Sequence, residues 1–79
     1  MRNNMVTFNG VEYDARPGGP FDRGAADSFY RRTPRAHYFL GATHQSIEIG
    51  RDGMTKEQIL EYHAGFDWNY EQGNFKDYD

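Results

Sequence analysis

The feature that most constrains this chain is the absence of cysteine from only 79 residues. A domain of about this size buries only roughly 60% of the surface that its unfolded chain exposes, so small folds often add disulfides or a zinc centre. Without thiols no disulfide can form, and a zinc site would have to rely on histidines and carboxylates alone. We therefore expect one small domain over residues 1–79, held together by a thin core.

Two short β-hairpins are predicted. In the first, Asn9 and Gly10 separate two alternating segments at residues 5–8 and 11–13, and both residues tolerate the positive φ angles of a type I′ turn. In the second, residues 37–40 and 46–49 are short strands joined by residues 41–45, with Ile47 and Ile49 alternating. Because an isolated hairpin is marginal in water, each has to pack on another element.

A first helix is predicted over about residues 20–32. Pro20 fits the first helical position, Asp22 lies in the first turn, and Pro34 prevents the helix from continuing. Arg31 and Arg32 would then lie in the last turn, where the helix dipole favours cations. The positions expected to face the core share one side of a 3.6-residue period. They are Phe21, Ala25, Phe29 and the stem of Arg32.

A second helix is predicted over about residues 55–72. Thr55 and Gln58 have the spacing of a capping box, and Gly73 supplies a stop. The positions expected to face the core form one broad apolar stripe. They are Ile59, His63, Phe66 and Tyr70, widened by Leu60, Ala64 and Trp68. The remaining tail, residues 74–79, is either flexible or folded back through its aromatic residues, Phe75 and Tyr78.

Each predicted helix carries an internal glycine, Gly24 in the first and Gly65 in the second. An exposed helical glycine costs about 1 kcal/mol relative to alanine, which close approach of a neighbouring element offsets. We therefore predict that the two helices pack on each other near these glycines. The expected fold is α+β, with two packed helices, an N-terminal β-hairpin and a short second hairpin.

No segment predicts membrane insertion or export. Residues 1–8 do not form the long apolar stretch of a signal peptide, and no segment approaches the roughly 18 apolar residues of a membrane span. We expect an intracellular protein with no membrane partner.

No catalytic or metal-binding motif identifies a reaction. The three histidines, His37, His44 and His63, do not stand at a metal-ligand spacing, and His63 is expected to be a packed, hydrogen-bonded residue of the second helix. Catalytic carboxylate pairs could be formed by Asp22 and Asp27 or by Glu61 and Asp67, but twelve acids on a small surface make chance proximity the expectation. Residues 17–19 are glycine-rich but lack the Lys-Ser/Thr of a phosphate-binding loop. We expect no enzyme, no cofactor and no metal.

Most of residues 20–79 resembles a group of small tailed-phage proteins. The resemblance is carried by PFDRGAADSFYRR at residues 20–32, HYF at 37–39, TKEQILEYHAGFDWN at 55–69 and FKDYD at 75–79. In that group Pro-aromatic-Asp-Arg-Gly-x-Ala-Asp-Ser-aromatic-Tyr and a final Phe-Lys-Asp-aromatic recur. More distantly, a helix with aromatic residues and Arg-Gly, followed by an aromatic-rich helix, is similar to ribosome modulation factor. The phage resemblance implies a phage-encoded protein that acts in the host cytoplasm.

Charge is distributed unevenly along the chain. The last 26 residues, from Met54 onward, carry two lysines and six acids, a net charge of −4, whereas the preceding residues sum to +1. Such asymmetry concerns partners rather than fold. An acidic helix face and tail could imitate a row of phosphates and occupy the basic groove of a nucleic-acid-binding machine. The candidate partner-binding residues are Glu57, Glu61, Asp67, Glu71, Asp77 and Asp79.

An alternative site lies where arginines alternate with aromatic residues, a pattern that can contact phosphates and stack on bases. Its residues, which could bind RNA or protein, are Tyr30, Arg31, Arg32, Arg35, His37 and Tyr38. Two functions follow. The first is a phage-encoded binding protein that inhibits or redirects a bacterial protein or ribonucleoprotein complex, with anti-defence proteins such as CRISPR inhibitors as the natural example. The second is a small RNA- or ribosome-associated factor.

Overall fold

The computed structural model describes residues 4–43 and 45–77 and has the expected α+β architecture. Two helices pack on each other, and two small antiparallel hairpins pack beside them. The elements in chain order are β1 (Met5–Phe8), β2 (Val11–Asp14), α1 (Pro20–Phe29), β3 (His37–Phe39), β4 (Glu48–Gly50), a single 3₁₀ turn (Arg51–Gly53) and α2 (Lys56–Gln72).

The first hairpin confirms the turn prediction. β1 and β2 pair in register from Met5 opposite Asp14 to Phe8 opposite Val11. The two turn residues have positive φ, 53° at Asn9 and 79° at Gly10, as a type I′ turn requires. Tyr13 of β2 stacks on Phe21 of α1 with 5.2 Å between ring centroids, and this contact attaches the hairpin to the helices.

The helices cross at the two glycines, as predicted. A Cβ atom added to Gly24 would lie 1.9 Å from the backbone oxygen of Tyr62, and one added to Gly65 would lie 2.0 Å from that of Phe21. Both distances are far inside van der Waals contact, and both obstacles are backbone atoms that cannot rotate away. Each glycine therefore lets the other helix approach more closely than any larger residue would allow.

The first helix ends at Phe29, three residues earlier than predicted. Arg31 takes the left-handed conformation with φ 58°, and its N–H donates to the oxygen of Ser28 at 3.0 Å. The N–H of Arg32 donates to the oxygen of Asp27 at 2.8 Å. This is a Schellman closure, whose left-handed position usually holds glycine. The prediction that Arg31 and Arg32 belong to the last helical turn is therefore wrong, because the chain closes the helix with an arginine.

The second helix begins and ends as predicted. The hydroxyl of Thr55 accepts from the N–H of Gln58 at 3.0 Å, and the side chain of Gln58 accepts from the N–H of Thr55 at 2.8 Å. Both halves of the capping box are thus present. Gly73 closes the helix with φ 69°.

The predicted core-facing stripes are partly wrong. On α1, Phe21 is buried, Ala25 and Phe29 are half-buried, and Arg32 lies exposed beyond the helix end. On α2, Ala64 is buried, while Ile59, Phe66 and Trp68 are half-buried. Three members of the predicted stripe are exposed, and they are Leu60, His63 and Tyr70.

The buried faces are displaced because the helices meet through small and polar residues. On α1 these are Gly24, Asp27 and Ser28, and on α2 they are Gly65 and Asn69 together with Tyr62, which is completely buried. The amide nitrogen of Asn69 donates to the hydroxyl of Ser28 at 3.1 Å across the interface. The apolar periodicity of α2 does not detect a contact made through glycine and polar side chains. The prediction therefore assigned the wrong side of α2 to the core.

The second hairpin forms with shorter strands than expected. β3 ends one residue before Leu40, and β4 covers Glu48–Gly50 rather than residues 46–49. Its register pairs His37 with Gly50 and Phe39 with Glu48. Ile47, predicted inside the strand, is 67% exposed. The hairpin contributes to a small apolar cluster of Ala36, Met54 and Tyr62, on which Tyr38, Ile49 and Ile59 pack.

The described part of the tail folds back on the helix ends. The N–H of Lys76 donates to the oxygen of Phe29 at 2.7 Å, and the ring of Phe75 contacts that of Tyr70 at 5.8 Å. Of the two alternatives for the tail, the structure shows Phe75 folded back on α2, while Tyr78 lies outside the described residues. Neither α1 nor α2, the helices of the described chain, has the length and apolar character of a membrane span.

Candidate binding surfaces

A buried polar network joins α1, α2 and β3. The hydroxyl of Tyr62 donates to Oδ2 of Asp27 and accepts from the N–H of Arg35 at 2.9 Å. Arg32 Nη1 lies 3.2 Å from the other carboxylate oxygen, Oδ1. Asp27 is only 3% exposed. Each of its carboxylate oxygens has a partner, and these contacts offset the free-energy cost of burying the group. Burial is the larger cause, and the hydrogen bond to Asp27 the second, of a pKa of Tyr62 well above its ordinary value.

His37 belongs to the same network and is 2% exposed. Its Nδ1 lies 2.6 Å from the carbonyl oxygen of Arg35, and its Nε2 lies 3.5 Å from Nε of Arg23. A carbonyl only accepts and a guanidinium only donates, so this arrangement uses the tautomer with the proton on Nδ1. The imidazole is therefore part of the support of the structure rather than an exposed acid or base.

A cleft of about 570 Å³ opens above this network, between the C-terminal part of α1, the following loop and β3. Three arginines, two aromatic residues, a histidine, a threonine and the buried aspartate line it. They are Arg23, Asp27, Tyr30, Arg32, Thr33, Arg35, His37 and Phe39. The guanidinium of Arg23 lies over the ring of Phe39 at 5.2 Å, and that of Arg32 over Tyr30 at 4.7 Å. Cation–π contacts of this kind hold both guanidinium groups in place.

The structure gathers four of the six residues predicted for the arginine site. Tyr30, Arg32, Arg35 and His37 line the cleft. Arg31 instead lies over the ring of Phe75 at 5.0 Å and donates from Nε to the oxygen of Lys76 at 3.4 Å.

Tyr38 does not line the cleft either, since it packs against the small apolar cluster. Sequence reasoning missed Arg23 in the cleft and Asp27 beneath it. Their i, i+4 spacing on α1 was the available signal, because it places an arginine and an acid on one helix face.

A second candidate surface is acidic. We define the acidic surface as Asp14 at the end of β2 together with Glu57, Glu61, Asp67 and Glu71 of α2. Glu57 and Glu61, and likewise Asp67 and Glu71, stand four residues apart on one helix. Burial raises the pKa of Glu61, and the nearby charges of Asp14 and Glu57 raise it further. Asp14 is a member that the sequence did not indicate, because the fold brings it to α2.

The acidic surface contains no ion pair in the described part of the chain. Among residues 4–43 and 45–77, none of its carboxylates lies within 4.0 Å of a cationic nitrogen. Of the two other acids predicted for this site, Asp77 is exposed in the tail and Asp79 lies outside the described residues.

The arginine-lined side is mixed in charge. Besides the Arg32–Asp27 pair, Arg35 Nη1 contacts Glu48 Oε2 at 2.9 Å, and this hydrogen bond lowers the pKa of Glu48. Among the described residues, the acidic surface thus contains no ion pair, whereas two arginines of the cleft are paired with carboxylates.

The two acids of α1, Asp22 and Asp27, each have a hydrogen-bond partner within the fold. Asp22 accepts from the N–H of Gly18 at 2.9 Å, and Asp27 is engaged in the buried network. His63 is exposed and meets Tyr62 edge-on, so the expectation that it is packed and hydrogen-bonded is wrong. His44 lies outside the described residues. Within the part of the chain that the structure describes, no three potential ligands cluster to hold a metal ion.

The motif at residues 20–30 is used mainly for helix packing. Asp22 holds the loop before α1, Gly24 permits the crossing, Asp27 meets Tyr62, and Ser28 meets Asn69. Every buried side-chain nitrogen or oxygen of the described residues has a hydrogen-bond partner. The motif therefore specifies how α1 packs on α2, and it also contributes Arg23, Asp27 and Tyr30 to the lining of the cleft.

No protein-family model, curated protein or solved structure matches the chain.

Proposed function

We propose that this chain is a non-enzymatic, phage-encoded binding protein that inhibits or redirects a bacterial macromolecular machine through its acidic surface. The observation that carries the proposal is the absence of a cationic partner near the carboxylates of that surface in the described chain. The partner we infer is a bacterial protein or ribonucleoprotein complex with a basic groove. Anti-defence proteins such as CRISPR inhibitors are the kind of protein this describes.

Rigidity supports this use of the acidic surface. Four of its five carboxylates project from one continuous helix whose two ends are closed by a capping box and by Gly73. Side chains on a rigid helix lose less conformational freedom on binding than side chains on a loop. Their like charges would steer a basic partner into contact and repel an acidic one.

The electrostatic cost at Glu61 is a second argument. Its carboxylate is half-buried beside two charges of the same sign, from Asp14 and Glu57. Such an arrangement destabilises the free protein, and a cationic partner would relieve it. Local electrostatic destabilisation that the fold leaves uncompensated is typical of functional surfaces.

The experiment is affinity capture from a bacterial lysate with the full chain. We expect one basic complex to be retained and to be released by added nucleic acid, which would compete for the same groove. The variant E57K/E71K should lose the complex. The matched variant E12K/D52K has the same change in net charge at two exposed acids outside the acidic surface, and it should retain the complex. Equal loss in both variants would contradict a defined site.

A small RNA- or ribosome-associated factor is the second candidate, favoured by the cleft that brings Tyr30, Arg32 and Arg35 together. Against it, Arg32 and Arg35 each have a carboxylate partner, and Arg31 is engaged with the tail. RNA would have to compete for all three, and affinity grows with the number of phosphates neutralised.

A gel-shift titration with RNA at increasing salt separates the two candidates. Tight, salt-sensitive binding that is lost in R31Q/R32Q/R35Q would overturn the first proposal in favour of the second.

A further inference from the structure

Arg23 is the cation of the cleft that has no carboxylate within ion-pairing distance among the described residues. Its Nε donates to His37, and its guanidinium lies over the ring of Phe39, which is 7% exposed. Neither of its terminal nitrogens donates to a described residue. His37 and Phe39 therefore fix the position of the Arg23 side chain, and its two terminal nitrogens remain available to the cleft.

Arg32 is held in a similar way. One terminal nitrogen pairs with the buried carboxylate of Asp27, and the guanidinium lies over the ring of Tyr30. Its side chain is still 54% exposed. Two guanidinium groups thus project donors into one cleft, and both are positioned by an aromatic ring before any ligand arrives.

We propose that this cleft binds a small phosphate ester, with Arg23 and Arg32 as the phosphate-binding residues. A carboxylate has two oxygens, which one guanidinium fork can satisfy. A phosphate has three terminal oxygens and can bridge two separate guanidinium groups. The three arginines of the cleft outnumber the two carboxylates that pair with them, Asp27 and Glu48, so an anion meets a net positive charge.

The cleft has room for a ligand larger than a free phosphate ion. At about 570 Å³ it lies within the roughly 300–1,000 Å³ of typical small-molecule sites. Tyr30 and Thr33 line it beside the arginines and would contact the organic part of the ester. A ligand about the size of a mononucleotide matches this combination. This site is separate from the acidic surface, and the proposal does not depend on the proposed function.

The test is calorimetric titration of the full chain with adenosine 5′-monophosphate, adenosine and inorganic phosphate. We expect the monophosphate to bind at least about tenfold more tightly than adenosine, as expected for charge-assisted hydrogen bonds to phosphate. Inorganic phosphate should bind more weakly and compete. Arg23→Gln should raise Kd about tenfold, whereas Arg51→Gln, which removes the same charge from an exposed position outside the cleft, should change it less than about twofold.

Three results would overturn the proposal. They are equal binding of the monophosphate and adenosine, the absence of saturable binding, and equal weakening in the two variants, which would indicate a diffuse charge effect. Tighter binding of a single-stranded RNA lacking terminal phosphates would overturn it as well.

If Arg23→Gln fails to fold, NMR of the wild-type chain decides, since the side-chain Nε–H signals of Arg23 and Arg32 should shift with phosphate and not with adenosine. E57K/E71K should still bind the monophosphate, so failure here is distinguishable from failure of the proposed function.

Discussion

The hydroxyl of Tyr62 on α2 donates a hydrogen bond to the carboxylate of Asp27 on α1, and this bond joins the two helices directly beneath the cleft. The same oxygen accepts from the backbone N–H of Arg35, which fixes the loop that leads into β3. One phenol therefore couples the helix pair to the wall of the cleft. Tyr62 thus contributes both to the packing of the helices and to the shape of the cleft.

Removing that hydroxyl should destabilise the protein. Tyr62→Phe leaves Oδ2 of a buried aspartate and the N–H of Arg35 without their partner, so we expect a loss of about 2 kcal/mol in the free energy of unfolding, measured by urea denaturation. Tyr38→Phe is the matched control, because Tyr38 packs on the same apolar cluster and should change stability by less than about 0.5 kcal/mol. Equal effects of the two substitutions would show that the hydroxyl of Tyr62 contributes nothing particular.

The raised pKa of Tyr62 predicts a loss of stability at alkaline pH. Because burial and then the hydrogen bond to Asp27 raise the pKa of Tyr62 in the folded protein, its protonated form stabilises the fold below the unfolded-state value of about 10. This contribution is lost as the pH rises towards the raised value. Denaturation curves between about pH 9 and pH 11 should show a steeper loss of stability for the wild type than for Tyr62→Phe. Parallel curves would contradict the raised pKa.

The helix crossing predicts an unusual response to alanine. In an exposed helix, glycine to alanine stabilises by about 1 kcal/mol. At Gly24 the new Cβ would meet the oxygen of Tyr62, so Gly24→Ala should destabilise by about 2–3 kcal/mol. Gly50→Ala is the control, since no atom lies within 4 Å of its added Cβ and its φ is −82°. Thermal denaturation measures both, and a stable Gly24→Ala variant would show that the helices are not in close contact there.

These glycines also show what the sequence could reveal about the fold. Gly24, Gly65, the Asn9-Gly10 turn and the Thr55 capping box were readable because each requires a backbone geometry or local hydrogen bond that few residues supply. The buried faces of the helices were not readable. Periodicity detects apolar side chains, whereas the contact is made through glycines and through Asn69, Ser28 and Asp27.

Glu61 should limit the stability of the free protein. Its raised pKa means that its protonated form stabilises the fold below about pH 4, and that this contribution is lost as the pH rises through the raised value. At neutral pH Glu61→Gln should therefore stabilise by about 0.5 kcal/mol, with the gain shrinking at high salt and at low pH. Glu12→Gln, at an exposed site on β2, should have almost no effect. Urea denaturation that shows Glu61→Gln to be destabilising would contradict the repulsion inferred among Glu61, Glu57 and Asp14.

The candidate sites were only partly predictable, because the sequence shows local spacing but not how separate elements pack together. The acids of α2 follow from helical spacing, which is local, but Asp14 joins them through the packing of the first hairpin, which is not. Likewise the arginines after α1 were visible as a run, whereas the left-handed turn at Arg31 directs that side chain to the tail. Arg23 takes its place in the cleft because α1 lies beside β3.

We propose that this protein meets its partner through the acidic surface. The most direct measurement is the affinity of the captured complex for the purified wild type, for E57K/E71K and for E12K/D52K, each at several salt concentrations. We expect wild-type binding to weaken steeply with salt, E57K/E71K to lose at least about tenfold in affinity, and E12K/D52K to remain within about twofold of the wild type. Binding that is indifferent to E57K/E71K would contradict the account.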